Sequence, residues 1–372
     1  MSAKNGLLRS RSRLVGLAVV AAFALSAMLA STASAKPPIK ETYLALGDSV
    51  AFGYSAQLLN ENLLAGDPAT DFEHGYANYY LTMHKPVLNG IQLTNDGCPG
   101  ETTDSVIGNG ALAAALGTEP EAPCAYHNVD GLPLHNEYGG PGVSQLENAL
   151  GVIAVDSFTG KPVTTITLNI GANDELHAIA KCEAEVIYEF THEPYTSKYG
   201  ATPEAAVKGC LEAHAAELFT HILTNIGTIS YVLHNGALFG GVNWAGKLVF
   251  LGSYDPYGTV YKTAAEVATA QAVGPQFAGA KLNELLTGSL PLAQILNLHE
   301  NAIAPGIGAC FANVLPVFNS NTNKEPGEKG TLQKWTNMNN QTSSNGQPNG
   351  PDIHPTPVGY KKLAKLMTEQ CG

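Results

Sequence analysis

The stretch Tyr43-Leu44-Ala45-Leu46-Gly47-Asp48-Ser49 decides the fold. Its four leading apolar residues, closed by a glycine and two turn formers, read as a strand buried on both faces. A half-exposed strand would alternate with polar residues. Four further runs of this kind follow: Ile91 to Thr94, Val163 to Ile170, Lys247 to Leu251, and Phe311 to Phe318. In the last of these only the first half can ladder cleanly, because Pro316 has no N–H to donate. Helical stretches lie between the runs. One opens at Ser144-Gln145-Leu146-Glu147, one runs from Pro203 to about Ile226, and one from Ala264 to Leu286. A terminal helix is expected over Lys361 to Glu369, led in by Thr356 as N-cap and Pro357 at the first helical position. Strands alternating with helices imply a parallel sheet covered on both faces. With no second strand set, internal repeat or Ser/Gly linker, one domain with insertions is expected. The least core-like insertion is the polar stretch Asn319 to Gly350.

Composition narrows the function classes. The chain has 372 residues, with 20 Lys and Arg against 32 Asp and Glu, a formal charge of −12. Such an acidic balance argues against a nucleic-acid binder or a polybasic membrane-surface protein, both of which need clustered cations. Lys4, Arg9, Arg11 and Arg13 precede an apolar run from Leu14 to about Ala30, followed by Ala33-Ser34-Ala35. That order predicts a secretory signal peptide over residues 1–35 and a secreted, extracellular domain over residues 36–372. The apolar run falls short of the ~20 residues that a span needs, so no stable membrane insertion is expected after cleavage. Losing four cations and no acids would leave the mature chain at −16.

All six cysteines (Cys98, Cys124, Cys182, Cys210, Cys310 and Cys371) fall in the mature part. An even count outside the cytoplasm favours three disulfides, among 15 possible pairings that sequence does not separate. Pairing of chain neighbours is preferred, because the two shorter loops would then each pin one long insertion. No pair has C-x-x-C spacing and no histidine lies at finger spacing, so no metal site is expected.

The chemistry gathers at strand ends, where ligands bind in open parallel sheets. Ser49 sits on the turn after the first strand, and a serine becomes a nucleophile only with a base in reach and donors for the resulting oxyanion. Gly171-Ala172-Asn173-Asp174 follows the longest β-branched strand and offers the Asn173 amide as one donor. Gly100, in Cys98-Pro99-Gly100-Glu101, offers an unencumbered backbone N–H after the second strand. The candidate base is His354 in Asp352-Ile353-His354-Pro355, between a polar loop and the terminal helix. Asp352 can orient its ring as a third triad member does.

In order and context, this Gly-Asp-Ser, Gly-x-Asn-Asp and C-terminal His-Pro set resembles the SGNH (GDSL) hydrolase superfamily, and the export features resemble its secreted bacterial lipase/esterase branch. The resemblance implies a flavodoxin-like three-layer α/β/α sandwich with a five-stranded parallel sheet. It also implies Ser49 as nucleophile, His354 as base, and an oxyanion hole from the Ser49 N–H, the Gly100 N–H and the Asn173 side chain. No metal or organic cofactor is implied. One departure matters: the family places its acid three residues before the histidine, which here is Pro351, with Asp352 only two before. Either Asp352 reaches the ring or the Pro351 carbonyl orients it; Asp352 is favoured.

A nucleophile elbow of the α/β-hydrolase kind is absent, since Gly142-Val143-Ser144-Gln145-Leu146 lacks the final glycine and Ser144 reads as a helix cap. The expectation is therefore a secreted, monomeric serine esterase or lipase acting on a small-molecule or lipid ester through an acyl-enzyme. Val50, Phe52 and Tyr54 would suit an acyl chain. A carbohydrate acetylesterase is the alternative if Trp335 and the polar loop line an open groove; a silent binding protein on the same scaffold is the other.

Overall fold

The computed structural model describes residues 40–59, 72–84, 90–125, 127, 132–140, 142–192, 194–256, 282–320, 331–337 and 352–372. The expected signal peptide, Pro351, residues 264–281 of one expected helix and most of the Asn319 to Gly350 loop lie outside these residues.

Five parallel strands form one sheet in the order β2-β1-β3-β4-β5: β1 Glu41–Gly47, β2 Ile91–Asn95, β3 Val163–Asn169, β4 Lys247–Leu251 and β5 Ala309–Ala312. This is the 2-1-3-4-5 order of the flavodoxin-like class, whose chain reverses direction across the sheet between β1 and β3. The flanking helices used below are α1 Ser49–Phe52, α2 Tyr76–His84, α3 Thr103–Ile107, α4 Gln145–Phe158, α5 Ala172–Thr191, α6 Pro203–His234, α7 Leu282–Ile303 and α8 Pro357–Cys371.

Period-two alternation divides β1 and β4 between two cores. Leu44 and Leu46 of β1, with Leu248 and Phe250 of β4, pack under α3 to α6. Their neighbours Tyr43, Ala45, Val249 and Leu251 pack under α2 and α8. Both faces are covered, which makes the three layers and explains why β1 reads as an unbroken apolar run. Leu46, Ile166 and Phe250 are fully buried, and each contributes on the order of 1.5–3 kcal/mol by leaving water.

Helix caps locate the ends. Ser144 accepts from the Glu147 N–H at 3.1 Å while the Glu147 side chain accepts from the Ser144 N–H at 3.1 Å, a reciprocal capping box. Thr356 accepts from the Gly359 N–H at 3.1 Å ahead of Pro357. The fifth strand differs from expectation: it begins at Ala309 and ends at Ala312, and Leu315–Phe318 is a helical turn. Pro316 stands in the first turn there, where a missing N–H costs no helix bond. Of the helix expected over Ala264 to Leu286, the described part belongs to α7, which runs on from Leu282 to Ile303.

The disulfides join Cys98 to Cys124, Cys182 to Cys210 and Cys310 to Cys371, neighbours along the chain in each case. The first closes the loop that carries Gly100, the second ties α5 to α6, and the third ties β5 to the end of α8. No helix among the described residues is long and apolar enough to cross a membrane.

Candidate active site

At the carboxyl end of β1 the chain must turn within two residues. Gly47 makes the turn at φ +132°, and a Cβ there would stand 2.0 Å from the Asn169 carbonyl oxygen of β3. Only glycine fits both the left-handed backbone and the close approach. The Gln145 side chain then brackets the same peptide: its Oε1 accepts from the Gly47 N–H at 2.6 Å, and its Nε2 donates to the Gly47 carbonyl at 3.0 Å. Asp48 caps α1 by accepting from the Val50 N–H at 2.8 Å. Ser49 opens that helix, where the first N–H groups have no partner within it. Burial pushes the Asp48 carboxyl up to about 7, against the lowering pull of the Val50 N–H and of His354.

His354 reaches this turn from 305 positions away, its Nε2 lying 2.8 Å from Ser49 Oγ. Its Nδ1 lies 2.6 Å from Asp352 Oδ1, which also accepts from the His354 N–H at 3.0 Å. Asp352 Oδ2 accepts from the Ala56 N–H at 2.9 Å, so both carboxylate oxygens are engaged and the side chain is buried. With Nδ1 donating to Asp352, Nε2 presents its lone pair to the serine hydroxyl.

The segment holding His354 is pinned from three sides. Its carbonyl accepts from the Asn337 N–H at 2.9 Å, the Tyr254 hydroxyl donates to the Ile353 carbonyl at 2.6 Å, and the Tyr54 ring centroid lies 4.5 Å from the imidazole. α8 follows directly.

Ala172 and Asn173 line the same pocket as Ser49 and His354. Asn173 Nδ2 donates one hydrogen to the Glu101 carbonyl at 2.8 Å, which fixes the amide and leaves its second hydrogen for a ligand. Gly100 precedes Glu101 on that loop, with φ +82°, although it is not among the pocket-lining residues. Asp174 clamps the loop to α5, accepting from the Thr103 hydroxyl at 2.6 Å and from its N–H at 3.0 Å. Burial raises the Asp174 carboxyl to about 6.

Of the side chains expected at the substrate, Phe52, Tyr54 and, for the sugar alternative, Trp335 are not among the pocket-lining residues; Tyr54 lies instead against the His354 and Phe72 rings. Phe52 is fully buried, its ring 5.0 Å from Phe72, because it faces inward from the one-turn helix α1. Trp335 packs against Phe318 at 5.1 Å and takes Lys362 over its ring, so it lines no part of the pocket. Val50 does line it, beside Leu176, Ile179 and Leu251. Gln145, Tyr254 and Asn337 were not visible as site residues. Only the capping box at Ser144 hinted at Gln145, by starting a helix beside the sheet's carboxyl edge.

Fold and site together define a three-layer α/β protein with a serine, a histidine and an aspartate hydrogen-bonded in series at the crevice of its sheet. No protein-family model and no curated protein matches the chain. Among solved structures it is similar to a phospholipase A1 from Streptomyces albidoflavus, at 14% identity and TM-score 0.46 over 89% of this chain and 99% of that one. It is also similar to a carbohydrate acetylesterase from Sinorhizobium meliloti, at 12% identity and TM-score 0.37 over 89% and 98%. An acetyl xylan esterase from Geobacillus stearothermophilus matches at 12% identity and TM-score 0.34 over 91% and 97%.

Proposed function

We propose that this chain is an exported serine esterase or lipase that hydrolyses carboxylic esters through an acyl-enzyme. The observation that carries the reading is the unbroken series Ser49 Oγ, His354 and Asp352 at 2.8 and 2.6 Å, at the crevice where α/β sheets bind ligands. Ser49 Oγ attacks the ester carbonyl carbon while its proton passes to His354 Nε2. Asp352 keeps the ring in the tautomer that can accept and balances the imidazolium that forms. The carbonyl oxygen becomes an oxyanion that takes hydrogen bonds from the Ser49 N–H, the Gly100 N–H and the Asn173 amide. His354 then returns the proton to the departing alkoxide oxygen, releasing the alcohol; it next draws a proton from the water that attacks the acyl carbon and passes it to Ser49 Oγ as the acid leaves.

The pocket wall of Val50, Leu176, Ile179 and Leu251 supports an acyl chain as the bound moiety. Trp335 is occupied by Phe318 and Lys362, which weighs against an open aromatic groove for sugars. The test is hydrolysis of p-nitrophenyl esters from acetate to palmitate by wild type and Ser49→Ala. Serine-dependent turnover that improves beyond acetate is expected. Turnover confined to acetate would assign a carbohydrate acetylesterase, and none on any ester would assign a silent binding protein.

A further inference from the structure

The turn that carries Ser49 is held on one side by the sheet and on the other by a side chain. Ala45 and Gly47 face β2, because their carbonyls accept from the Asp96 N–H at 2.9 Å and the Cys98 N–H at 3.0 Å. The β1–β2 ladder nevertheless stops at Ala45 and Asn95, whereas on the other edge β1 stays paired with β3 as far as Gly47 and Asn169. The Gly47 N–H thus points past the end of β2. Gln145 meets it there, and its carboxamide exchanges two bonds with the Gly47 peptide as a facing residue does in an antiparallel ladder.

This amide has one workable orientation. Oε1 accepts from the Gly47 N–H at 2.6 Å, and Nε2 donates to the Gly47 carbonyl at 3.0 Å and to the Tyr138 hydroxyl oxygen at 3.1 Å. The Tyr138 hydroxyl donates onward to the Asp96 carbonyl. Reversing the amide would set its NH₂ group against the Gly47 N–H. Gln145 is fully buried at the first position of α4, whose start the Ser144 and Glu147 capping box fixes. It lines no part of the pocket.

The Gly47 carbonyl is also where the nucleophile turn meets the oxyanion loop. Besides Gln145 it accepts from Cys98, two residues before Gly100. The Cys98 carbonyl accepts from the Glu101 N–H at 3.3 Å, and the Glu101 carbonyl accepts from the Asn173 amide at 2.8 Å. One series of hydrogen bonds therefore runs from Gln145 to both loop donors expected at the oxyanion.

Resting on the esterase reading, we infer that Gln145, oriented by Tyr138, is a positioning residue for ester hydrolysis. It fixes the Gly47 peptide, and through it the placement of Ser49 Oγ relative to the Gly100 and Asn173 donors. Because it touches no substrate, its loss should act on turnover and leave ground-state binding alone.

Gln145→Met keeps the length of the side chain and removes all three bonds; Tyr138→Phe removes only the hydroxyl that orients the amide. Both variants and their double variant are assayed for kcat and KM on a p-nitrophenyl ester. The rate at which a p-nitrophenyl phosphonate labels Ser49 is followed by mass spectrometry, and folding by circular dichroism. For Gln145→Met, kcat and the labelling rate should fall together by about 10²-fold, as for a misplacement of about 1 Å, with KM within about threefold. Tyr138→Phe should lose less, and the double variant no more than Gln145→Met, since both act through one amide. If Gln145→Met does not fold, Tyr138→Phe decides, with a fall of at least about threefold in both rates supporting the inference and a smaller one overturning it. A folded Gln145→Met variant within about threefold of wild type in kcat, or a loss in kcat/KM carried wholly by KM, would overturn it. Losses that simply add in the double variant would overturn the part given to Tyr138. Wild type labelled at Ser49 with an equally fast Gln145→Met variant would sink this inference alone, whereas wild type that neither turns over nor labels would sink the esterase reading with it.

Discussion

Replacing Asp352 by asparagine is the sharpest probe of the site, because both carboxylate oxygens are committed. Oδ1 takes two donors, His354 Nδ1 at 2.6 Å and the His354 N–H at 3.0 Å, while Oδ2 takes the Ala56 N–H at 2.9 Å. An amide has one acceptor and one donor end, so neither orientation satisfies all three. With its oxygen towards His354, its NH₂ group opposes the Ala56 N–H, and the charge that balances the imidazolium is gone. With its NH₂ group towards His354, the imidazole must carry its proton on Nε2, facing Ser49, and cannot accept another. Comparable triad changes reduce turnover about 10⁴-fold, equivalent to about 5 kcal/mol of barrier at ~1.36 kcal/mol per decade. We therefore expect kcat on a p-nitrophenyl ester to fall by about three to four decades, with the fold intact by circular dichroism. A loss under about tenfold in a folded variant would refute the role of Asp352 and return it to the Pro351 carbonyl.

Two further predictions follow from burial. Gly47→Ala places a Cβ 2.0 Å from the Asn169 carbonyl in a left-handed backbone, so it should cost at least about 3 kcal/mol and abolish turnover; a Tm near wild type by calorimetry would contradict that. Glu183 is buried with one carboxylate oxygen unpartnered, and burial raises it to about 7. The native state therefore keeps its proton over a pH range where the unfolded chain, titrating near ~4.3, has lost it. Its stability contribution is intact below that lower value, declines as pH rises to about 7, and is constant above. Glu183→Gln should accordingly raise Tm at pH 8 and leave it nearly unchanged at pH 4, and equal effects at both would exclude this cause.

What local chemistry governs was open to reading along the chain. Tyr43 to Leu46 announced a strand covered on both sides, because no polar residue interrupts it. Ser144 and Thr356 announced helix starts, because a side-chain oxygen can take a free N–H only there. α5 escaped notice, since Gly171 supplies no side-chain cap, although Leu176, Ile179, Val186 and Phe190 keep helical spacing. Other features depend on groups that meet only after folding. Gln145 finds Gly47 across 98 positions and His354 finds Ser49 across 305, and no window of sequence contains either pair. The choice between Asp352 and Pro351 is of the same kind. Spacing permits both, and the contact of Asp352 Oδ1 with His354 Nδ1 at 2.6 Å, beside Tyr54, Tyr254 and Asn337, is one that no spacing specifies. Residue type and order thus determined the layers and the candidate chemistry, while tertiary contact alone decided which atoms face one another, because directional bonds act over about 3 Å and chain proximity does not supply that.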